Sequence, residues 1–219
     1  MPRRPGSEVA FVGATIVVTL ALAWLSSVFG GGWVSAAALS VGMFTVLAAY
    51  AAATGDVFLG RLLAFGLAAG VVELAADCWL VEGTGTLVYP LAEPTLACSP
   101  AYMPVAWAVV LTQVGYLAWR LSPSGHLGRT AAIAFGLGVV FIPLFEHFAA
   151  GAGWWVYRDT PMVWDTPYYI VLGEGLICAT LPLAIAGEAH RRVGRAVGLG
   201  VAQGVWIWAA YAVAYALLG

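Results

Sequence analysis

The sequence predicts an all-α membrane protein, one bundle of seven transmembrane helices forming a single domain over residues 1–219. Three observations predict it. Of the 219 residues, 62% are hydrophobic and only 9% are charged, where a soluble domain carries about 25% charged residues. Seven apolar runs follow one another, each long enough to cross the hydrocarbon core of a bilayer. The arginines fall almost entirely on one side of the alternating topology that those runs define.

Met1–Ser7 is a short basic tail. The first span, Val9–Phe29, is too long for a signal-peptide core and ends at Gly30, Gly31 and Gly32. The second, Trp33–Ala53, closes at Thr54-Gly55-Asp56, and the third, Val57–Val81, contains Glu73 and Asp77. The polar loop EGTGTLVYPLAEPTLACS follows, whose glycines and prolines stop a helix. The fourth span is Pro100–Leu121, and the turn SPSGHLGR leads to the fifth, Thr130–Ala150. A tryptophan-rich loop then enters the sixth, Pro167–Gly187, and the basic turn EAHRRVGR leads to the seventh, Ala196–Leu218. Proline opens the fourth and sixth spans, where its missing N–H costs nothing.

This topology collects Arg3, Arg4, Arg61, Arg120, Arg129, Arg191, Arg192 and Arg195 on one side and only Arg158 on the other. The positive-inside rule then puts the N-terminus in the cytoplasm and the C-terminus outside. A multi-pass protein of a prokaryotic plasma membrane is expected, with the lipid bilayer as its surroundings and no nucleic-acid partner. The net charge of −2 carries no partner signal. Every basic residue is arginine, which excludes a lysine Schiff base and with it a retinal-binding role. Three cysteines give no disulfide framework; Cys78 and Cys98 are spaced so that they could pair near one surface, and spacing leaves that open. Gly66-xxx-Gly70, Gly194-xxx-Gly198 and Gly200-xxx-Gly204 read as close helix packing.

Spans 3–4 and 5–6 read as two copies of a helix–loop–helix unit. Ser99-Pro100-Ala101-Tyr102 lines up with Thr166-Pro167-Tyr168-Tyr169, and Trp107 with Glu174. Upstream, Glu73 is matched with Glu146, the glycines 83 and 85 with 151 and 153, and Tyr89 with Tyr157. A site is expected where the two units meet.

Glu73, Glu146 and Glu174 fall roughly 12, 6 and 10 Å inside the membrane at ~1.5 Å per residue. Asp77 shares a helix face with Glu73. Acids at that depth, with no lysine or arginine beside them, cannot all be neutralised by ion pairs. Burial and mutual repulsion favour the neutral form, and a neutral carboxylic acid is a proton donor suited to an apolar substrate. Each acid taken singly could instead just hold helices together; several at one depth favour function. Trp79, Tyr89, Tyr102, Trp107, Trp154, Trp155, Tyr157, Trp164, Tyr168 and Tyr169 crowd the same boundary. Aromatic belts are ordinary at membrane interfaces, but ring faces beside a site also stabilise developing positive charge. No metal site is expected: Glu146 and His147 are adjacent and point to different helix faces, His126 and His190 lie on turns, and no HExxH occurs.

An in-membrane Glu, a Gly-x-Gly and Tyr loop, then Pro and an aromatic-rich helix entry, twice over, resembles the integral-membrane carotenoid enzymes. These are the bisanhydrobacterioruberin hydratases and small-subunit lycopene β-cyclases, with membrane terpene cyclases more distant. The resemblance covers Glu73–Trp107 and Glu146–Glu174, and departs from the cyclases in that Pro90-Leu91-Ala92-Glu93 holds one acid where they carry two. It implies protonation of an isoprenoid C=C and capture of the carbocation by water or ring closure, without metal or organic cofactor. Glu146 leads as the acid, with Glu73, Glu174 and Asp77 sharing its proton network. The alternative is a seven-helix protein that binds or transports a lipid or small molecule with the same acids.

Overall fold

The computed structural model describes residues 5–90, 92–122, 126–185 and 192–219. Among the described residues seven α-helices run in chain order: α1 Pro5–Phe29, α2 Gly32–Thr54, α3 Val57–Cys78, α4 Met103–Arg120, α5 Leu127–Ala152, α6 Tyr168–Ile185 and α7 Val193–Leu218. All but α4 are long and apolar enough to cross a membrane, α3 together with the π-turn Trp79–Thr84 that extends it. Arg3, Arg4, His190, Arg191 and the end of the sixth span at Gly187 lie outside the described residues.

The exception explains itself by position. Going round the bundle, α3 packs on α7, α7 on α6, α6 on α5, α5 on α1, α1 on α2 and α2 on α3. Inside that ring stands α4, touching α1, α2, α3, α5 and α6. Thirteen of its 18 residues are buried. A helix sheathed in protein need not be lipid-soluble, so α4 carries Gln113, Tyr116 and two tryptophans along its length. Small residues let α3 lie against it. A Cβ on Gly66 would stand 2.8 Å from the Ala108 Cα, and one on Gly70 would stand 2.9 Å from the Trp107 Cβ. The glycine pair therefore serves packing within the chain.

Between α3 and α4, and again between α5 and α6, the chain makes the same small construction. Short strands β1 (Leu87–Val88), β2 (Thr95–Leu96) and β3 (Ser99–Pro100) occupy the first connection; β4 (Val156–Tyr157), β5 (Met162–Val163) and β6 (Thr166–Pro167) occupy the second. β2 pairs with β3 and β5 with β6, each pair closing through a tip whose first residue is left-handed, Ala97 at φ 56° and Trp164 at φ 54°. β1 and β4 pair with each other, Leu87 opposite Tyr157 and Val88 opposite Val156, and tie the two connections together at one end of the bundle. Cys78 and Cys98 form a disulfide that fastens the first connection to the end of α3.

Two sequence expectations need correction. Pro100 and Pro167 do not open helices; they pair with Thr95 and Met162 in the hairpins, where a missing N–H is tolerated at a strand edge, and the helices begin after them. Nor is Glu73 the counterpart of Glu146. Gly85 and Gly153, both left-handed at φ 69° and 71°, end the two descending helices in step. Upstream of Gly85 the π-turn inserts one residue that the second unit lacks. That shift brings Asp77 into step with Glu146.

At the end opposite the hairpins lie Arg61, Arg120, Arg129, Arg192 and Arg195, whereas Arg158 lies at the hairpin end. Arg120 pairs with Glu8 at 3.1 Å, and the Tyr116 hydroxyl donates to Asp56 at 2.9 Å, closing that end around α4.

Candidate active site

Just inside the hairpin end the helices surround about 790 Å³ of empty space, open mouth included. Its lining is mostly apolar, from Leu39 and Met43 on α2, Val109 and Val110 on α4, and Phe141, Ile142 and Phe145 on α5. Into it come three carboxyls from three helices: Asp77, Glu146 and Glu174. The sequence reading places the site among spans three, five and six; in the structure α1, α2, α4 and α7 contribute walls as well.

Every one of these acids meets a donor. The Tyr89 hydroxyl donates to Asp77 Oδ2 at 2.6 Å, and the Ser99 hydroxyl donates to the same oxygen at 2.7 Å. The Trp155 indole N–H donates to Glu146, which Tyr157 also faces. The Tyr211 hydroxyl donates to Glu174 Oε1 at 2.6 Å. Tyr89 and Tyr157, each four residues after a left-handed glycine, thus face Asp77 and Glu146 from equivalent places in the two connections. Because buried carboxyls without donors are strongly unfavourable, the hairpins are what make this constellation tolerable: Tyr89, Ser99, Trp155 and Tyr157 all sit in or beside them.

Glu73 stands apart. It is fully buried one turn before Asp77, faces Asp77 and the Trp107 indole, and neither of its oxygens makes a hydrogen bond. It lies behind the cavity wall. Of the expected aromatic residues, Tyr89, Trp107, Trp155 and Tyr157 line the cavity. The others do not. Trp79 packs edge-on against Trp208 and Tyr215 of α7, and Trp154 is buried with its indole donating to Ser35 Oγ at 2.8 Å. Tyr169 shares a 2.6 Å hydrogen bond with Thr86. Tyr168 and Trp164 are exposed, and Tyr102 is buried beside Glu93. Sequence reasoning missed Tyr211, Gln113 and Thr19, all lining residues. Gln113 carried a signal, being a lone amide in the middle of an apolar span; Tyr211 was hidden among the aromatic residues of the last one.

Among the described residues no three His, Cys, Asp or Glu side chains are placed to hold a metal ion. His147 pairs instead with Asp165 at 2.6 Å on the outer surface.

Residues 74–218 match a family described as a domain of unknown function, DUF6989. The chain belongs to that family. The DUF6989 match begins one residue after Glu73 and takes in Asp77, Glu146, Glu174, Tyr211 and both hairpins. No curated protein and no solved structure matches the chain.

One further acid sits in the first connection, outside the spans. Glu93 is buried and its oxygens make no hydrogen bond, so burial pushes its carboxyl up to about 7, against a smaller opposing pull from the Tyr102 hydroxyl. Below its ordinary value of 4.5 the group is neutral folded and unfolded. Between 4.5 and about 7 the unfolded chain ionises while the folded one stays protonated, so stability falls as pH rises through that window. Thermal unfolding followed from acid to neutral pH should show this decline, and Glu93→Gln should flatten it. An unchanged pH profile in the variant would show that Glu93 ionises without resistance in the fold.

Proposed function

We propose that this protein is a membrane-embedded isoprenoid hydratase or cyclase, acting on a carotenoid or terpenoid by protonating a C=C bond. The observation that carries the reading is the convergence of Asp77, Glu146 and Glu174 on one largely apolar cavity rimmed by tyrosine and tryptophan. An apolar cavity takes an apolar substrate, and carboxyls inside it are the groups able to deliver and recover a proton there.

Glu146 is the acid. It accepts one N–H from Trp155, which fixes its plane and leaves the rest of the carboxyl to hold a proton. That proton goes to one carbon of the double bond, whose π pair forms the new C–H bond and leaves a tertiary cation. Asp77 is suited to the opposite role. With two hydroxyls donating to one oxygen, it has the partners to stabilise the cation through space once ionised. Trp107, Trp155 and the tyrosine rings add cation–π stabilisation. The cation is then captured in one of two ways. Water attacks and loses its proton to the carboxylate, giving an alcohol; or a second C=C of the substrate attacks, and loss of a proton from carbon gives a ring. Either route restores the acid, so no redox partner is needed.

We place the hairpin end on the extracytoplasmic side of a prokaryotic plasma membrane, because the opposite end gathers the arginines. A reporter fused after Gly219 should then be active only outside the cytoplasm; activity confined to the cytoplasm would reverse the orientation.

Replacing Glu146 tests the chemistry. Glu146→Gln keeps shape and hydrogen bonding and cannot deliver a proton, so product formation should fall by ~10²–10⁴ with little change in thermal stability. Glu146→Asp, still an acid though displaced, should retain more. A purely structural Glu146 predicts the reverse order, with Gln tolerated and Asp harmful through lost packing. A fully active Gln variant would remove Glu146 from the mechanism.

A further inference from the structure

The cavity has a second polar locus that the proton chemistry does not use. Gln113 is fully buried at the centre of α4 and lines the same cavity, six residues beyond Trp107 and therefore roughly 9 Å further along the helix axis. Its amide is oriented by two threonines of α1. Thr15 Oγ1 donates to the Val12 carbonyl at 2.7 Å, and Thr19 Oγ1 donates to the Thr15 carbonyl at 2.8 Å. With their protons spent, both hydroxyls can only accept from Gln113, and Nε2 donates to them at 3.1 and 3.3 Å. A flipped amide would set a carbonyl oxygen against two oxygens with no proton to offer. The orientation is therefore fixed, and it leaves Oε1 with no hydrogen-bond partner among the described residues.

A buried amide oxygen held in one orientation and left without a donor is costly, and a cavity is where a donor can be brought to it. We infer that Gln113 Oε1 is the recognition point for a hydroxyl carried by the substrate. The substrate is then an isoprenoid alcohol. Its O–H donates to Gln113 at the deep end of the cavity, and its reacting double bond reaches back to Glu146 and Asp77 near the hairpins. Thr19 and the half-buried Ser40, whose hydroxyl donates to the Ala36 carbonyl at 2.8 Å, flank that deep end. A hydrocarbon with no donor would leave Oε1 unanswered, so the site selects for an alcohol over an ether or an alkene of the same shape. This assignment rests on the isoprenoid reading above and adds to it the polar group and its distance from the reacting bond.

Competition binding on the detergent-solubilised full chain tests it. The probe is radiolabelled farnesol, displaced by unlabelled farnesol or by farnesyl methyl ether, which keeps the chain and lacks the donor. Farnesol should compete about tenfold better than the ether, the ratio that one ordinary buried hydrogen bond confers. In Gln113→Leu the two should compete equally, with the affinity for the ether unchanged. Gln113→Met serves the same purpose if the leucine variant does not fold, and the comparison in the unmodified protein needs no variant. Equal competition in the unmodified protein, a preference that survives in Gln113→Leu, or no specific binding of farnesol overturns the assignment. Glu146→Gln separates it from the reading it rests on. That variant should keep the preference for alcohol while making no product. Lost preference with Glu146-dependent turnover intact discards only the hydroxyl site, and an intact preference with an active Glu146→Gln discards only the acid.

Discussion

The structure depends on answering buried carboxyls inside a membrane bundle. Three acids, Asp77, Glu146 and Glu174, are buried and pair with no arginine among the described residues. Donors must come from neutral groups, and α-helices have none to spare, since their backbone N–H groups are already bonded. The two hairpin connections supply most of them. By folding back over the bundle and pairing through β1 and β4, they lower Tyr89, Ser99, Trp155 and Tyr157 onto Asp77 and Glu146. The disulfide from Cys78 to Cys98 and the left-handed glycines at 85 and 153 fix where those connections begin. The hairpins are thus part of the site rather than links between spans.

The second constraint is the central position of α4. A helix ringed by others can carry polar groups at mid-length without exposing them on the outside of the bundle. Gln113 and Trp107 sit there for that reason, and the cavity exists because α4 leaves room on its α2 and α5 sides near the hairpins. On the proposed reading, acids at one level and an oriented amide at another divide the cavity into a reacting end and a recognition end. Such a division suits a long substrate held at one end and changed at the other.

Much of this was legible in the sequence. Length and apolarity marked the spans, and the acids within them drew attention to the level of the bundle at which the cavity lies, because a charge-bearing group in an apolar run is rare enough to stand out. The likeness of the two connections was visible in Ser99-Pro100 and Thr166-Pro167. What failed was register. A π-turn leaves no mark in composition, so its added residue made Glu73 look like the partner of Glu146 when Asp77 holds that place. Helix orientation was equally hidden. Trp79, Trp154 and Tyr169 belong to the aromatic density at the hairpin end, yet their rings turn toward α7, Ser35 and Thr86, which only the packed bundle decides. Tyr211 shows the converse: it is remote in sequence from every acid and becomes the donor to Glu174 because α7 lies against α6.

Proton delivery from the protein to a carbon of the substrate is the central claim, and solvent isotope labelling tests it most directly. Membranes containing the chain, equilibrated in D₂O and supplied with an isoprenoid extract, should yield a product absent from membranes without it. That product should carry one deuterium bound to carbon, stable to exchange, with the remaining mass equal to the precursor plus one water for hydration or equal to the precursor for ring closure. A new product with no carbon-bound deuterium, or lipid extracts identical with and without the chain, would contradict the account.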